Sequence, residues 1–227
     1  MSTKQFLKNI FLNNTSQGLQ FGSRWLFNIT LINTLDIKNY AIFSFVYSVS
    51  NILLAIIPFG SSVYLINEVE SIEKSKNKFY DSIFIAATLF TGLLVLYILL
   101  TPFLNEIKGW DLSIYGIVLG FVLSLNIIVF SFFKGVGNFI KELKAYTFFF
   151  ISLLVFIAYL FFYENAIKSL HTIFMLLISI NFFVFIITLF FNKILISSLK
   201  DLKAIFTYDR LKKSFFYRKY FGYQEIA

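Results

Sequence analysis

The stretch NYAIFSFVYSVSNILLAIIPFGSSVYLIN, residues 39–67, contains no Asp, Glu, Lys or Arg. Lys38 and Glu68 bound it. A helix that crosses the hydrocarbon of a bilayer needs about 20 mostly apolar residues, and this run exceeds that length. Four further intervals are equally free of charge: Asp81 to Glu106, Asp111 to Lys134, Lys144 to Glu164, and Lys168 to Lys193. A sixth and weaker one runs from about Ser16 to Leu35, interrupted only by Arg24. The predicted spans are therefore 16–35, 40–66, 82–104, 112–134, 145–163 and 171–195. Unbroken apolar runs argue against a membrane barrel, whose strands alternate in pieces of roughly 10 residues. The fold class is all-α: a polytopic membrane protein of six transmembrane helices. Short joints at 36–39, 105–111 and 164–170 make consecutive spans antiparallel, which gives an up-down bundle.

Composition agrees. Of 227 residues, 58% are hydrophobic and 14% charged, against roughly 25% charged in a soluble domain. So little polar material cannot cover the surface of a soluble enzyme, and so much hydrophobicity excludes disorder. With no cysteine, disulfide scaffolds and Cys-ligated metal sites are excluded. There is one histidine, no pair of carboxylates within a span, and no Walker loop, GxGxxG or HExxH. No catalytic residue, metal ligand or cofactor site is predicted, and the chain is not read as an enzyme.

The net charge of +8 is distributed by leaflet. If the N-terminus is cytoplasmic, sixteen of the twenty basic residues lie on that side, and the outer joints hold only Lys38, Lys108 and Lys168. This is the positive-inside pattern, and it places both termini in the cytoplasm. The partners it implies are membrane lipids, anionic ones among them, rather than nucleic acid. The N-terminal segment lacks a compact apolar core and a small-x-small cleavage site, so the first span is expected to stay as a signal anchor. Residues 1–196 form the transmembrane lobe and 197–227 a basic cytoplasmic tail. In that tail Leu199, Leu202, Ile205 and Phe206 have helical spacing, which suits a helix lying in the interface. Glu68, Glu70 and Glu73 are followed at once by Lys74, Lys76 and Lys78, the pattern of a solvated loop.

Within the spans, polar residues carry the functional information. Asn13, Gln17, Gln20, Arg24 and Asn28 share one face of the first span, opposite Phe11, Leu19, Gly22, Leu26 and Ile29. An arginine at the bilayer centre costs about 2.5–3.5 kcal/mol on insertion scales. Two readings follow: Arg24 faces a water-filled cavity and attracts an anionic group, or it snorkels or pairs within the bundle. No acid lies at matching depth in any span, which favours the cavity. In the second span Ser44, Ser48, Asn51, Pro58 and Ser62 fall near one face. Pro58 and Gly60 predict a bend, serving as a hinge or as a packing kink. Gly120, Ser124 and Ser131 share a side of the fourth span and suit close packing, with Asn126 offset from them. Asn181 and Ser152 read as interhelical hydrogen-bond donors, His171 as an interfacial residue, and Trp110 as part of the outer aromatic belt.

The order of these features resembles the N-terminal half of Wzx-type polysaccharide flippases, in the multidrug/oligosaccharidyl-lipid/polysaccharide exporter superfamily. Leu35-Asp36-Ile37-Lys38-Asn39-Tyr40-Ala41-Ile42-Phe43-Ser44-Phe45 is similar to the family's joint before its second helix, with Asp36 and Ala41 where glycines are usual. Ile57-Pro58-Phe59-Gly60-Ser61-Ser62 and Lys134-Gly135-Val136-Gly137-Asn138-Phe139-Ile140-Lys141 resemble two later motifs. The resemblance implies a transporter without bond chemistry. It would move polyprenyl-pyrophosphate-linked oligosaccharide across the bacterial inner membrane for polysaccharide biosynthesis. Arg24, Gln17, Gln20, Asn28 and Asn51 would line the substrate cavity, and Pro58 and Gly60 would form a hinge. Members usually carry two six-helix lobes. Asp209-Arg210 and Gly222-Tyr223-Gln224-Glu225-Ile226-Ala227 look like the opening of a second, so the expectation is a truncated chain or fragment, or a half-transporter that pairs with a second lobe or as a homodimer. The alternatives are a drug or metabolite exporter of the same superfamily, or a non-transporting membrane partner of a glycan-synthesis complex.

Overall fold

The computed structural model describes residues 3–69, 72–104, 106–107, 109–162, 169–191, 212–218 and 221. Among them are eight helices and no strand. They are α1 (Thr3–Thr34), α2 (Ile37–Ile56), α3 (Ser61–Glu68), α4 (Ile72–Leu104), α5 (Ser113–Gly135), α6 (Phe139–Phe162) and α7 (Leu170–Phe191), followed by α8 (212–218). Five of these, α2, α4, α5, α6 and α7, are long and apolar enough to cross a membrane. The 32 residues of α1 extend about 48 Å, more than the roughly 30 Å of hydrocarbon, although α1 is too polar to match the other five.

Local chemistry sets the boundaries. The α1–α2 turn is fixed by Asp36, whose carboxylate accepts from Asn39 N–H at 2.7 Å and so caps α2. A cap of this type contributes about 1 kcal/mol, which explains an aspartate where a glycine joint was the expected pattern. The predicted second span, 40–66, is two helices. Pro58 has no N–H to donate, and Phe59 (φ 43°) and Gly60 (φ 71°) take left-handed conformations that end α2 and start α3. The bend expected at Pro58 and Gly60 is thus a full break. Left-handed φ is strained for phenylalanine, at a cost on the order of 1–3 kcal/mol.

Packing does not follow chain order. α1 packs along α6, while α2, α3, α4 and α7 all pack on α5. α1 touches α2 much less, the edge contact of Phe27 on Phe43 at 6.0 Å being one such point. Most of α5 is buried, whereas little of the apolar stretch of α4 is. In lipid, small residues decide which helices approach closely. A Cβ on Gly116 would lie 2.6 Å from Val46 O, and one on Gly120 would lie 3.1 Å from Ser50 O. Gly116 and Gly120 form a GxxxG pair that seats α2 on α5. At the far end of α5 a Cβ on Gly135 would collide with Leu65 O, so α3 docks just as closely.

Two apolar clusters fill the interior. One lies toward the end of the bundle that carries most of the basic residues, and includes Ile57, Leu65, Phe79, Ile128, Phe132 and Phe133. The other lies toward the opposite end, around Phe27, Leu31, Phe43, Phe156, Ile173 and Phe174. Phe43 stacks on Phe174 at 5.1 Å and Tyr115 stacks on Phe174 at 5.9 Å. His171 is exposed at the start of α7, 3.1 Å from the Tyr115 hydroxyl. Nearby, Trp110 stacks on Tyr97 at 5.3 Å and donates to Thr101 Oγ1 at 3.4 Å.

The basic end holds a feature that charge counting misses. Arg218 of α8 is fully buried. Its guanidinium donates to Ser61 Oγ (3.0 Å), Ser82 Oγ (2.9 Å) and Lys78 O (3.1 Å), and lies 4.3 Å from the centre of the Tyr64 ring. Burial pulls its pKa down, while Tyr64 and the Asp81 carboxylate favour the charged form. A guanidinium stays protonated in this setting. Phe215 stacks on the strained Phe59 at 4.6 Å with the rings within 6° of parallel. α8 therefore straps the α2–α3 break. The interfacial helix predicted around Leu199–Phe206, the Asp209-Arg210 pair and residues 222–227 lie outside the described residues.

Candidate functional site

Arg24 stands on α1 ten residues before Thr34, which puts it about 15 Å from that end of the helix and near mid-depth. It borders a cavity lined by α1, α2, α5, α6 and α7. The cavity sits at the seam between the two apolar clusters, where α1 leaves α2 to follow α6. Its polar lining is Gln20, Arg24, Tyr47, Asn126, Tyr146 and Asn181; the remainder is apolar, with Phe27, Phe130 and Leu177 among it. Its volume is about 50 Å³. A water molecule needs at least about 10–15 Å³, so this space suits a few waters.

Polar groups at this seam are placed by backbone as well as by side chains. Asn126 Nδ2 donates to Asn181 O at 3.0 Å and ties α5 to α7. Asn181 Nδ2 donates within its own helix to Leu177 O at 2.8 Å. The interhelical donor is thus Asn126, not Asn181 as expected from sequence. Asn126 is 5% exposed, and its Oδ1 has no hydrogen-bond partner. A buried acceptor left in this state costs roughly 1–3 kcal/mol, unless a hydroxyl or a water donates to it. Among the described residues Arg24 forms no ion pair. The buried ion pair that does form joins Lys134 and Glu142 at 3.4 Å, and it lies toward the basic end. No group of three or more His, Asp or Glu that could hold a metal gathers among the described residues.

The structure separates the predicted site residues. Arg24 and Gln20 line the cavity. Gln17 and Asn51 are exposed and Asn28 is half-buried, and none of these three lines it. Helical geometry gives the reason. The buried face of α1 carries Ser16, Ser23 and Phe27. Relative to Arg24, Gln20 is turned about 40° toward that face, whereas Gln17 and Asn28 are turned about 20° and 40° away from it. Tyr47, Asn126, Tyr146 and Asn181 are the additional members. Two asparagines at similar depth in neighbouring spans were the available signal for Asn126 and Asn181. Nothing distinguished Tyr47 and Tyr146 from the other tyrosines.

None of the protein-family models, curated proteins or solved structures compared with the chain matches it. The residues of the cavity and the exposed polar face beside it are what bear on function.

Proposed function

We propose that this membrane protein is one lobe of a Wzx-type flippase. It would carry polyprenyl-pyrophosphate-linked oligosaccharide across the bacterial inner membrane, with its basic end in the cytoplasm. The observation that carries the reading is Arg24: an arginine ten residues before the Thr34 end of α1, on a cavity wall, with no carboxylate partner among the described residues. Arginine cannot discharge by losing its proton. An uncompensated charge there is costly, and a pyrophosphate oxygen pair is a geometric match to its fork of donors. Tyr47, Tyr146 and the free Asn126 Oδ1 supply donors and acceptors for hydroxyl groups. No bond is made or broken; polar groups replace hydration that the anion would otherwise lose in crossing.

A second support is the polar surface beside the cavity. Gln17 on α1 and Ser48 and Asn51 on α2 are exposed. Such groups are costly against hydrocarbon, so a second six-helix lobe or a second copy of the chain covers them in this reading. A cavity of about 50 Å³ is too small for a pyrophosphate-linked sugar. The loaded state therefore needs α1 to move away from α2, where contact is thinnest, with the break at Pro58–Gly60 as the hinge. The small volume also favours a second reading, in which the bundle stays closed and anchors partners of glycan synthesis.

The test is binding of a short-chain polyprenyl pyrophosphate to the chain in nanodiscs. R24A should weaken it by about 10- to 150-fold, the value of one charge-assisted contact of 1.5–3 kcal/mol, and R24K should recover part of it. Unchanged binding by R24A overturns the reading. Because the chain has no cysteine, single cysteines at 13, 17, 20, 24 and 28 then separate the two readings. Aqueous labelling along that stripe supports a transport cavity, and its absence beyond the interface supports the closed bundle.

A further inference from the structure

We propose that the groove between α6 and α7 at the basic end is a binding site for one anionic phospholipid of the adjoining leaflet. The groove has a volume of about 680 Å³, far larger than the cavity at Arg24. It exists because its two walls follow different partners: α6 leans on α1 and α7 leans on α5. Its floor is apolar, with Ile140, Leu143, Phe148 and Ile151 from α6 facing Ile187 from α7. Lys141 and Lys144 also line it. They stand three residues apart, on one side of the helix.

The groove changes character with depth as a lipid does. Lys141 and Lys144 lie two and five residues into α6 from Phe139, within about 8 Å of the helix end, at headgroup level. Phe148 and Ile151 lie about 14–18 Å from that end, at acyl-chain level. Among the described residues no carboxylate answers either lysine. Glu142, between them in sequence, is 1% exposed and turned to Lys134 on α5. Among the described residues neither Lys141 nor Lys144 forms an ion pair, and the Lys141 ammonium rests 5.9 Å from the Phe133 ring centre. Two cations without an acidic partner among the described residues, above an apolar cleft and at the leaflet where positive-inside residues collect, complement a phosphate with an acyl chain below it. A neutral helix would leave both charges unanswered, and a zwitterionic lipid, whose own cation offsets its phosphate, would answer them less than an anionic one. The site stands on these residues whether or not the chain is a flippase.

Native mass spectrometry of the full chain, after exchange into mixed phosphatidylglycerol and phosphatidylcholine, reads this directly. At about 1 kcal/mol per lysine, the wild-type chain should retain the anionic lipid about 30-fold over the zwitterionic one. K141A/K144A should bring the ratio close to one. I187W, which fills the floor and leaves both lysines, should lower retention of either lipid, with helix content by circular dichroism showing that each variant is folded. Equal retention of the two lipids by the wild-type chain overturns the proposal, as does a preference that survives K141A/K144A. Displacement of the bound lipid by millimolar inorganic phosphate marks a free-anion site and overturns the lipid assignment. If I187W abolishes a dimer while leaving lipid retention intact, the groove belongs to a second copy, and the proposal fails.

Discussion

Replacing Arg218 with alanine removes the only side chain that pins α8 to the bundle through polar contacts among the described residues. The guanidinium makes three hydrogen bonds and one ring contact while fully buried. Hydrogen bonds to a charged group contribute about 1.5–3 kcal/mol each, which would sum to more than 4 kcal/mol. They share one group, however, and α8 can lift to readmit water, so the loss is limited to about 2–4 kcal/mol of docking free energy. The ratio of docked to undocked α8 then falls about 30- to 700-fold. Spin labels at Ile66 and Phe216, both exposed, report this by pulsed electron resonance in nanodiscs, and no native cysteine interferes. The wild-type background should give one narrow, short distance. R218A should give a broad distribution extending to longer distances. R218K should fall between, because it keeps the charge and loses the planar fork. The same narrow distance in R218A would refute the reasoning, since apolar contacts such as Phe215–Phe59 and Tyr217–Tyr64 would then suffice for docking.

Gly116→Ala should lower the unfolding midpoint in detergent by the equivalent of about 1–3 kcal/mol of overpacking, because the new methyl meets Val46 O at 2.6 Å. Gly22→Ala is its control: nothing lies within 4 Å of that position, and alanine favours a helix interior, so the midpoint should hold or rise. Equal effects would show that α5 does not need glycine to approach α2. Lys134→Met should destabilise the fold by about 3–5 kcal/mol at neutral pH, since it strands the buried Glu142 carboxylate. Adding E142Q to that variant should restore most of the loss, and a denaturant titration of the two variants checks this.

The spans were legible because charge is excluded from hydrocarbon, so the absence of Asp, Glu, Lys and Arg marks them directly. The break at Pro58–Gly60 was legible because both residues disrupt helices by their own covalent chemistry. Arg24 stood out as a charge within a span, and Gln20 came with it by spacing. Packing partners were not legible. In a bilayer the outside of a helix is as apolar as the inside, so nothing in α1 announced that it would follow α6 rather than α2. Gly116 and Gly120 held the clue for the α2–α5 pair, and only Gly120 was read as a packing residue. Gln17, Asn28 and Asn51 were assigned to the cavity on polarity, which does not say how far round a helix a side chain is turned. Arg218 was counted as one more topogenic charge; the aromatic run Phe215, Phe216 and Tyr217 before it was the signal that the segment packs.

The pairing of α1 with α6 also sets a problem of timing. α1 is made first, and 104 residues separate its end at Thr34 from the start of α6 at Phe139. At 5–20 residues per second, synthesis of that interval takes about 5 to 20 seconds. Throughout it, the helix bearing Gln20 and Arg24 has no α6 to lean on. A nascent chain stalled before residue 139 isolates this state, and crosslinking from α1 to the insertion machinery should persist there and fade once α6 has emerged. A helix more polar than the five apolar spans is thus left for seconds without its main neighbour.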